Sequence, residues 1–560
     1  MPPTSPFGGY GPASLPPNPT YPFRFSDAGG RDRLRRLLVT GSALLLVLSL
    51  AAATAWHPFI SAASRDSVVV YGPAATSLDP AVQSDAGSAQ VVSQLFESLT
   101  WIDSSAHVQP ALAGSWDFAN GGKQIVFHLR AGLTFSDGSP LKASDVVASW
   151  LRVLSPANPS QLASLLDAVT GARAYRDGSG PESGVGIRAT SDTDVEVDMS
   201  SAASDFPAIV SSPTLAVVPS DIDSNRADLQ PGSFVGSGAY VLSAVTATET
   251  TLTANPHYWA GQPPITTVHI LNDPGSDGIV DEFQAGNLDY TPVDGQDATW
   301  IAYDRTLGPS LRLEPSPSVE YYGFNTTRAP FSDVHVRRAF ELGIDWQSIV
   351  TLEAVPGMVP ATGMVPIGVP GHSTTDYGPR FDVATARSEL AAAGYPGGAG
   401  FPSVTLVTPG GDGGQMEGAI IRQLHDNLGV DISFRAEDWS TYNGQLLTDP
   451  PAFWEMDWVA DYPGANDFLG LLLGSGQTNN FGRWSDSDFD AAVADALSST
   501  DATTTQADFD KAQSIVQDQA PVIPVDYASG YSLVAPGLLG ALPNGQGLVR
   551  YAGMSWASGS

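Results

Sequence analysis

The chain has 560 residues, 42% hydrophobic and 15% charged, with 59 acidic against 26 basic side chains and no cysteine. That length exceeds a single core and predicts two or three domains, and the hydrophobic content is that of a folded chain. The acidic balance leaves no basic stripe for nucleic acid, and the missing cysteines exclude disulfides, thiolate metal sites, a cysteine nucleophile and an N-terminal lipid-modified cysteine.

Residues 1–36 begin Pro-, Gly- and Ser-rich and predict a disordered cytoplasmic tail. Arg31, Arg33, Arg35 and Arg36 precede an uncharged run from Leu37 to Ala55, which extended to Ile60 is long enough to span a bilayer as a helix. The arginines hold their side in the cytoplasm, so residues 37–60 are predicted to anchor the chain with the remainder on the extracytoplasmic face of the membrane. Ala53-Thr54-Ala55 also fits a signal-peptidase site, and secretion after cleavage following Ala55 is the alternative.

From Asp66 onward the pattern is mixed α and β. "DSVVVYG" predicts a strand entering at a sheet edge. Val92, Leu95, Phe96 and Leu99 fall on one helical face, whereas Ile125, Phe127 and Leu129 alternate as a half-buried strand does. Ser144 is the predicted N-cap of a helix burying Val147, Trp150, Leu151 and Leu154. Ile420, Leu424 and Leu428 form a helical face that Gly429 ends, and Val430, Ile432 and Phe434 then alternate, a helix feeding a strand as in open α/β sheets. No internal repeat is visible. The eight histidines are scattered, the metalloprotease, nucleophile-elbow and dinucleotide motifs are missing, and Gly122-Lys123 is followed by Gln124 rather than Ser or Thr. The expectation is a protein that is not an enzyme and carries no cofactor or metal.

One stretch breaks its own pattern. "DWVADYPGANDFL" holds the strand-like run Trp458-Val459-Ala460 between Asp457 and Asp461, with Glu455 upstream. Carboxylates are depleted in strands and costly where water is excluded.

This stretch is one of a series that runs through most of the chain: "SLDPAVQSDAGSAQVVSQLFESLTWID", "QPALAGSWDFANGGKQIVFHLRAGLTFSDGSPLKASDVVASWLRVL", "GSGAYVL", "NPHYWAG", "EFQAGNLDY", "YYGFNTTRAPFSDVHVRRAFELGIDWQSIV", "ARSELAAAGYP" and "QDQAPVIPVDY". Together they resemble the extracellular solute-binding proteins of family 5, the peptide- and nickel-type receptors of ABC importers. The resemblance implies an α/β, two-lobed periplasmic-binding-protein-like fold with three subdomains (type II, peptide-binding type), here preceded by one transmembrane helix. Lobe I would comprise residues 66–98, 218–312 and 526–560, the extra subdomain 99–217, and the opposing lobe 313–525. It implies a monomer that closes on an oligopeptide and delivers it to the permease subunits.

The resemblance also assigns residues. The backbones of Asp457 and Val459 would pair with an extended ligand, and Asp461 would capture its α-ammonium. Asp85 and Ala86 would lie opposite that strand. Trp439 and Trp458 would wall side-chain pockets, with Tyr321 and Tyr322 as further cleft candidates. Each has a plainer alternative: Asp461 as a turn residue before Pro463, the tryptophans as core. Asp79, Asp137 and Asp145 read as turn and cap residues. Where some peptide-binding members carry an Arg for the ligand carboxylate, this chain has Glu455. That substitution favours a longer, basic or amidated peptide or a non-peptide cation. A nickel chelate, an oligosaccharide and a sensory role remain alternatives.

Overall fold

The computed structural model describes residues 66–83, 85–222, 231, 234–275, 278–353, 355–410 and 414–557. The predicted tail, anchor and cleavage site at 1–60 lie outside the described residues. Among the described residues no helix is long and apolar enough to cross a membrane.

The chain opens with β1 (Ser67–Tyr71) and α1 (Ala86–Leu95). It then builds a small part from β2 (Thr100–Ile102), β3 (Val108–Pro110), β4 (Ala113–Ala119), β5 (Gln124–Leu129), α2 (Ala143–Val153), β6 (Ile187–Ala189) and β7 (Asp194–Asp198). It returns through β8 (Tyr240–Val245), β9 (Glu249–Ala254), β10 (Thr267–Leu271), β11 (Tyr290–Val293) and β12 (Leu311–Pro315). The next stretch contains β13 (Ser318–Phe324), α3 (Trp346–Glu353), β14 (Val359–Pro360), β15 (Val404–Pro409), α4 (Gln415–Leu428), β16 (Ile432–Glu437), α5 (Trp439–Thr448), β17 (Phe453–Val459) and β18 (Val522–Tyr527). Strand β19 (Ser529–Val534) then rejoins the first part.

Three sheets carry all of these strands except β2 and β3, which pair only with each other. The first is seven-stranded, β12-β19-β11-β1-β10-β9-β8; the second has the order β4-β5-β7-β6; the third runs β14-β18-β13-β17-β15-β16. The main chain passes between the first and third sheets at two places, Ser316-Pro317 and Ala528, and the Ser316 N–H donates to the Ala528 carbonyl across them (3.0 Å). Two short, hydrogen-bonded crossings are what a hinge requires. The sheets therefore change hands a few residues later than the sequence division at 313 and 525. Leu313–Pro315 pair with β19 in the first sheet, and Asp526 lies in β18 of the third.

Local readings fare unevenly. Ile125, Phe127 and Leu129 are buried along β5 as their alternation predicts. Gly429 takes a left-handed conformation (φ 70°) as the C-cap of α4, and β16 follows three residues later. Strand β1 is not at an edge, since it pairs with β10 on one side and β11 on the other; three consecutive valines suit an interior strand. Helix α1 stops at Leu95, so Leu99 is buried beyond it rather than on its face. Helix α2 starts two residues earlier than an N-cap at Ser144 allows, with Lys142 at the N-cap and Asp145 accepting its N–H, and it buries Val146 and Val153 where Val147 and Leu151 are only half-buried.

Candidate ligand-binding site

Strand β17 changes character along its length. Phe453 and Trp454 are fully buried in two different cores on opposite faces of the sheet. Both also pair with β15, through Leu406 and Val407. Beyond Trp454 the pairing with β15 ends, while β13 stays alongside as far as Ser318↔Val459. The cause is Tyr442 of α5. Its hydroxyl sits at the fork, donating to the Glu455 carbonyl and accepting the Glu455 N–H (3.1 Å).

That contact fixes which way the backbone faces. Because the Glu455 N–H and C=O point away from β13, strand alternation points those of Asp457 and Val459 the same way, whereas the Ala460 N–H turns back to Pro317 (2.9 Å). No described strand pairs with β17 along that edge. It is an exposed template, and Val459 is 56% accessible beside it. The edge lies at the carboxyl ends of the parallel strands β15, β16 and β17, where open α/β sheets bind ligands.

Three carboxylates follow this edge. Glu455 is half-buried and its carboxyl is pushed up to about 8, by burial first and then by Asp457, Glu417 and Asp526. Desolvation also raises Asp457 and Asp461, and no cationic side chain is among the groups acting on any of the three. Solvent still reaches Asp461, so its shift reflects crowding rather than enclosure. No described side chain donates to the Asp461 carboxylate. Its backbone N–H is held by Asp467 Oδ2 (3.2 Å), the oxygen that also accepts the Trp458 indole N–H (2.8 Å). On the far side of this loop the Tyr462 hydroxyl and the Asn466 amide donate to Asp205 of the second part (2.6 and 3.0 Å). Asp461 and Tyr462 border a cavity of about 980 Å³ there.

The other candidates separate. Trp439, at the start of α5 and next to Tyr442, is 56% exposed at the same rim. Trp458 packs half-buried against the core of the third part. Tyr321 and Tyr322 are each 1% exposed on opposite faces of β13, so neither is an open cleft wall; an antiparallel strand between two helical layers buries both faces. The Asp85 carboxylate caps α1, accepting the Ser88 N–H (2.8 Å) and the hydroxyls of Ser88 and Thr76, while Ala86 is exposed. Burial works against ionisation of Asp85, yet these donors hold it below the usual carboxylate range. Asp79 does more than fix a turn: Arg152 grips it with two guanidinium nitrogens. Asp137 and Asp145 are turn and cap residues as read.

Three residues escaped the sequence reading: Tyr442, Glu320 and Asp526. The last two lie on β13 and β18, each a carboxylate inside an apolar run, the same signal that marked Asp457.

The sequence profile of the bacterial extracellular solute-binding proteins, family 5 (middle region), matches residues 107–480. The chain belongs to that family. This family 5 protein is 33% identical over 471 residues to the probable deoxycholate-binding periplasmic protein YgiS of Escherichia coli K12, covering 82% of this chain and 87% of the relative. It is 27% identical to the periplasmic oligopeptide-binding protein OppA of the same strain, covering 83% and 87%. Its fold matches the unliganded open form of the murein tripeptide-binding protein MppA with a TM-score of 0.78 at 26% identity, over 88% of this chain and 98% of that one. The two-lobed periplasmic-binding-protein architecture is thereby shown. The relatives are binding proteins by name, not enzymes.

Proposed function

We propose that this family 5 protein captures oligopeptides as a strand added to the open edge of β17, closes about the crossings at 316–317 and 528, and hands its cargo to an ABC permease as a monomer. The observation that carries this reading is the edge of β17 at Asp457 and Val459, which no described strand pairs, leading to an Asp461 carboxylate to which no described side chain donates. Backbone pairing supplies affinity independent of ligand side chains, and the carboxylate supplies polarity by taking the α-ammonium. Trp439 at the rim and Ala86 on the first lobe would flank the ligand, and the Asp85 side chain would serve the cap of α1.

A steroid carboxylate, the ligand named for the 33% identical relative, fits this edge poorly: carboxyl groups with no cation beside them among the described residues do not attract an anion. Native mass spectrometry of the purified protein tests the class. Co-purified peptides are expected, and a saccharide or nickel chelate in their place would overturn the reading. For the membrane, we propose the anchor at 37–60. Cell fractionation should leave full-length protein in the membrane pellet; a soluble product beginning at Trp56 would mean cleavage.

A further inference from the structure

Asp467 is 0% exposed, in the one-turn helix Ala465–Phe468 that follows the Asp461 loop, and its neighbours Ala465, Phe468 and Leu469 belong to the apolar core of the third part. One carboxyl oxygen, Oδ2, accepts both the Trp458 indole N–H (2.8 Å) and the Asp461 backbone N–H (3.2 Å). The other, Oδ1, is buried and has no hydrogen-bond partner among the described residues.

Packing alone does not ask for a carboxyl at this place. An apolar side chain would bury no orphan oxygen, and a charged group with half its hydrogen-bonding capacity unmet is costly in an apolar core. Burial, and then the charge of Asp461, push the Asp467 carboxyl well above the usual range, which favours its neutral form. What the buried oxygen holds is the direction of two residues of the candidate site. Strand β17 ends at Val459, and after the Ala460 N–H has returned to Pro317 the next backbone donor, that of Asp461, is taken by Asp467. The rest of the loop is fixed separately. Tyr462 and Asn466 donate to Asp205 of the second part, and the Ala465 N–H donates to the Pro370 carbonyl (3.0 Å). The Asp461 carboxylate accepts nothing from a described side chain, so its position is set through its backbone.

We infer that Asp467 is the positioning residue of the amine site: one buried carboxyl oxygen ties the Asp461 backbone to the Trp458 ring and fixes the capturing carboxylate before a ligand arrives. This rests on the reading of Asp461 as the partner of the ligand's ammonium. A capturing group that is already held loses less freedom on binding, so more of its charge-assisted hydrogen bond is realised as affinity. The neutral carboxyl and an asparagine amide offer the same oxygen acceptor. Asparagine should therefore replace Asp467, and leucine, of similar size without an acceptor, should not.

The test is titration calorimetry of the full chain with pentaalanine and with N-acetyl-pentaalanine, read as the ratio of the two affinities. Wild type should prefer the free amine about tenfold or more. Asp467→Leu should bring that ratio below about threefold, and Asp467→Asn should keep it within about twofold of wild type. A purely structural role would weaken both peptides alike and leave the ratio where it was. Amide hydrogen exchange of the ligand-free chain gives a second readout. Asp467→Leu should speed exchange at Asp461, while Ala465, held by Pro370, keeps its rate. Should the leucine variant not fold, Trp458→Phe removes one of the two donors from Asp467 and should lower the ratio in the same direction. An unmoved ratio in the folded variant would overturn the positioning role and leave amine capture standing. A loss in Asp467→Asn equal to that in Asp467→Leu would assign the effect to charge and overturn it as well. A wild-type ratio near one would overturn amine capture at Asp461 and this role with it. No binding of either peptide would overturn the peptide reading itself.

Discussion

Asp79 receives two guanidinium nitrogens of Arg152, and Glu97 receives Arg550 together with the Tyr258 hydroxyl (2.7 Å). Glu455, Asp457 and Asp461, whose carboxyls desolvation pushes above the usual range, receive no cation among the described residues. Both groups of acids sit within one acidic chain, but only those of the first lobe are neutralised by the fold. A paired carboxylate is spent on holding elements together. An unpaired one at an open strand edge retains its capacity for an outside cation, at a cost to stability that closure on a ligand would offset.

That contrast can be broken at four points. The largest effect is expected at Asp79→Asn, which leaves Arg152 nearly buried without its counter-charge. Urea denaturation should show a loss of about 3–5 kcal/mol, with ligand affinity unchanged for the molecules still folded. Next is Asp461→Asn, which keeps the turn chemistry and removes the charge. Calorimetry should show affinity for a free-amine peptide falling about ten- to a hundredfold, with N-acetylated peptide unaffected and stability hardly moved. If wild type binds both forms equally, Asp461 is only a turn residue.

Glu455→Gln sharpens the contrast through pH. The folded-state pKa of Glu455 lies near 8, above the unfolded value of about 4.3–4.5, so the native state holds the extra proton between these limits. Stability contributed by that proton is present below the unfolded pKa and is lost as pH rises toward 8. Glutamine carries no such titration. The variant should therefore match wild type near pH 4.5 and have the higher Tm at pH 8. A Tm difference that stays constant with pH would show Glu455 to be ionised throughout. The smallest effect is expected for Asp85→Asn. Asparagine caps a helix about as well as aspartate, so stability should change by under about 0.5 kcal/mol and peptide affinity not at all. A large loss of affinity would restore Asp85 as a ligand contact.

How much was legible in advance depended on how local the cause is. Alternation along β5 and the α4–Gly429–β16 succession are written in neighbouring side chains, because apolar periodicity and a left-handed glycine act within a few residues. The family, likewise, was carried by short motifs in order, and the acids around Trp458 announced that something other than packing was at work. Yet the sequence could not separate Trp439 from Trp458, both aromatic and both beside aspartates. One stands at a helix start in solvent and the other has its indole N–H taken by Asp467.

The tertiary structure decided the rest. Tyr442 frees the edge of β17 by binding a residue thirteen positions away, and Tyr322 changes from a cleft wall to a buried ring because helices cover both faces of β13. Glu320 meets Asp526 only because the sheet order sets β18 beside β13, two strands some two hundred residues apart in the chain. Hydrophobic patterning states which residues want to be inside. Which carboxylates are left without a partner is a property of long-range pairing, and no local period encodes it.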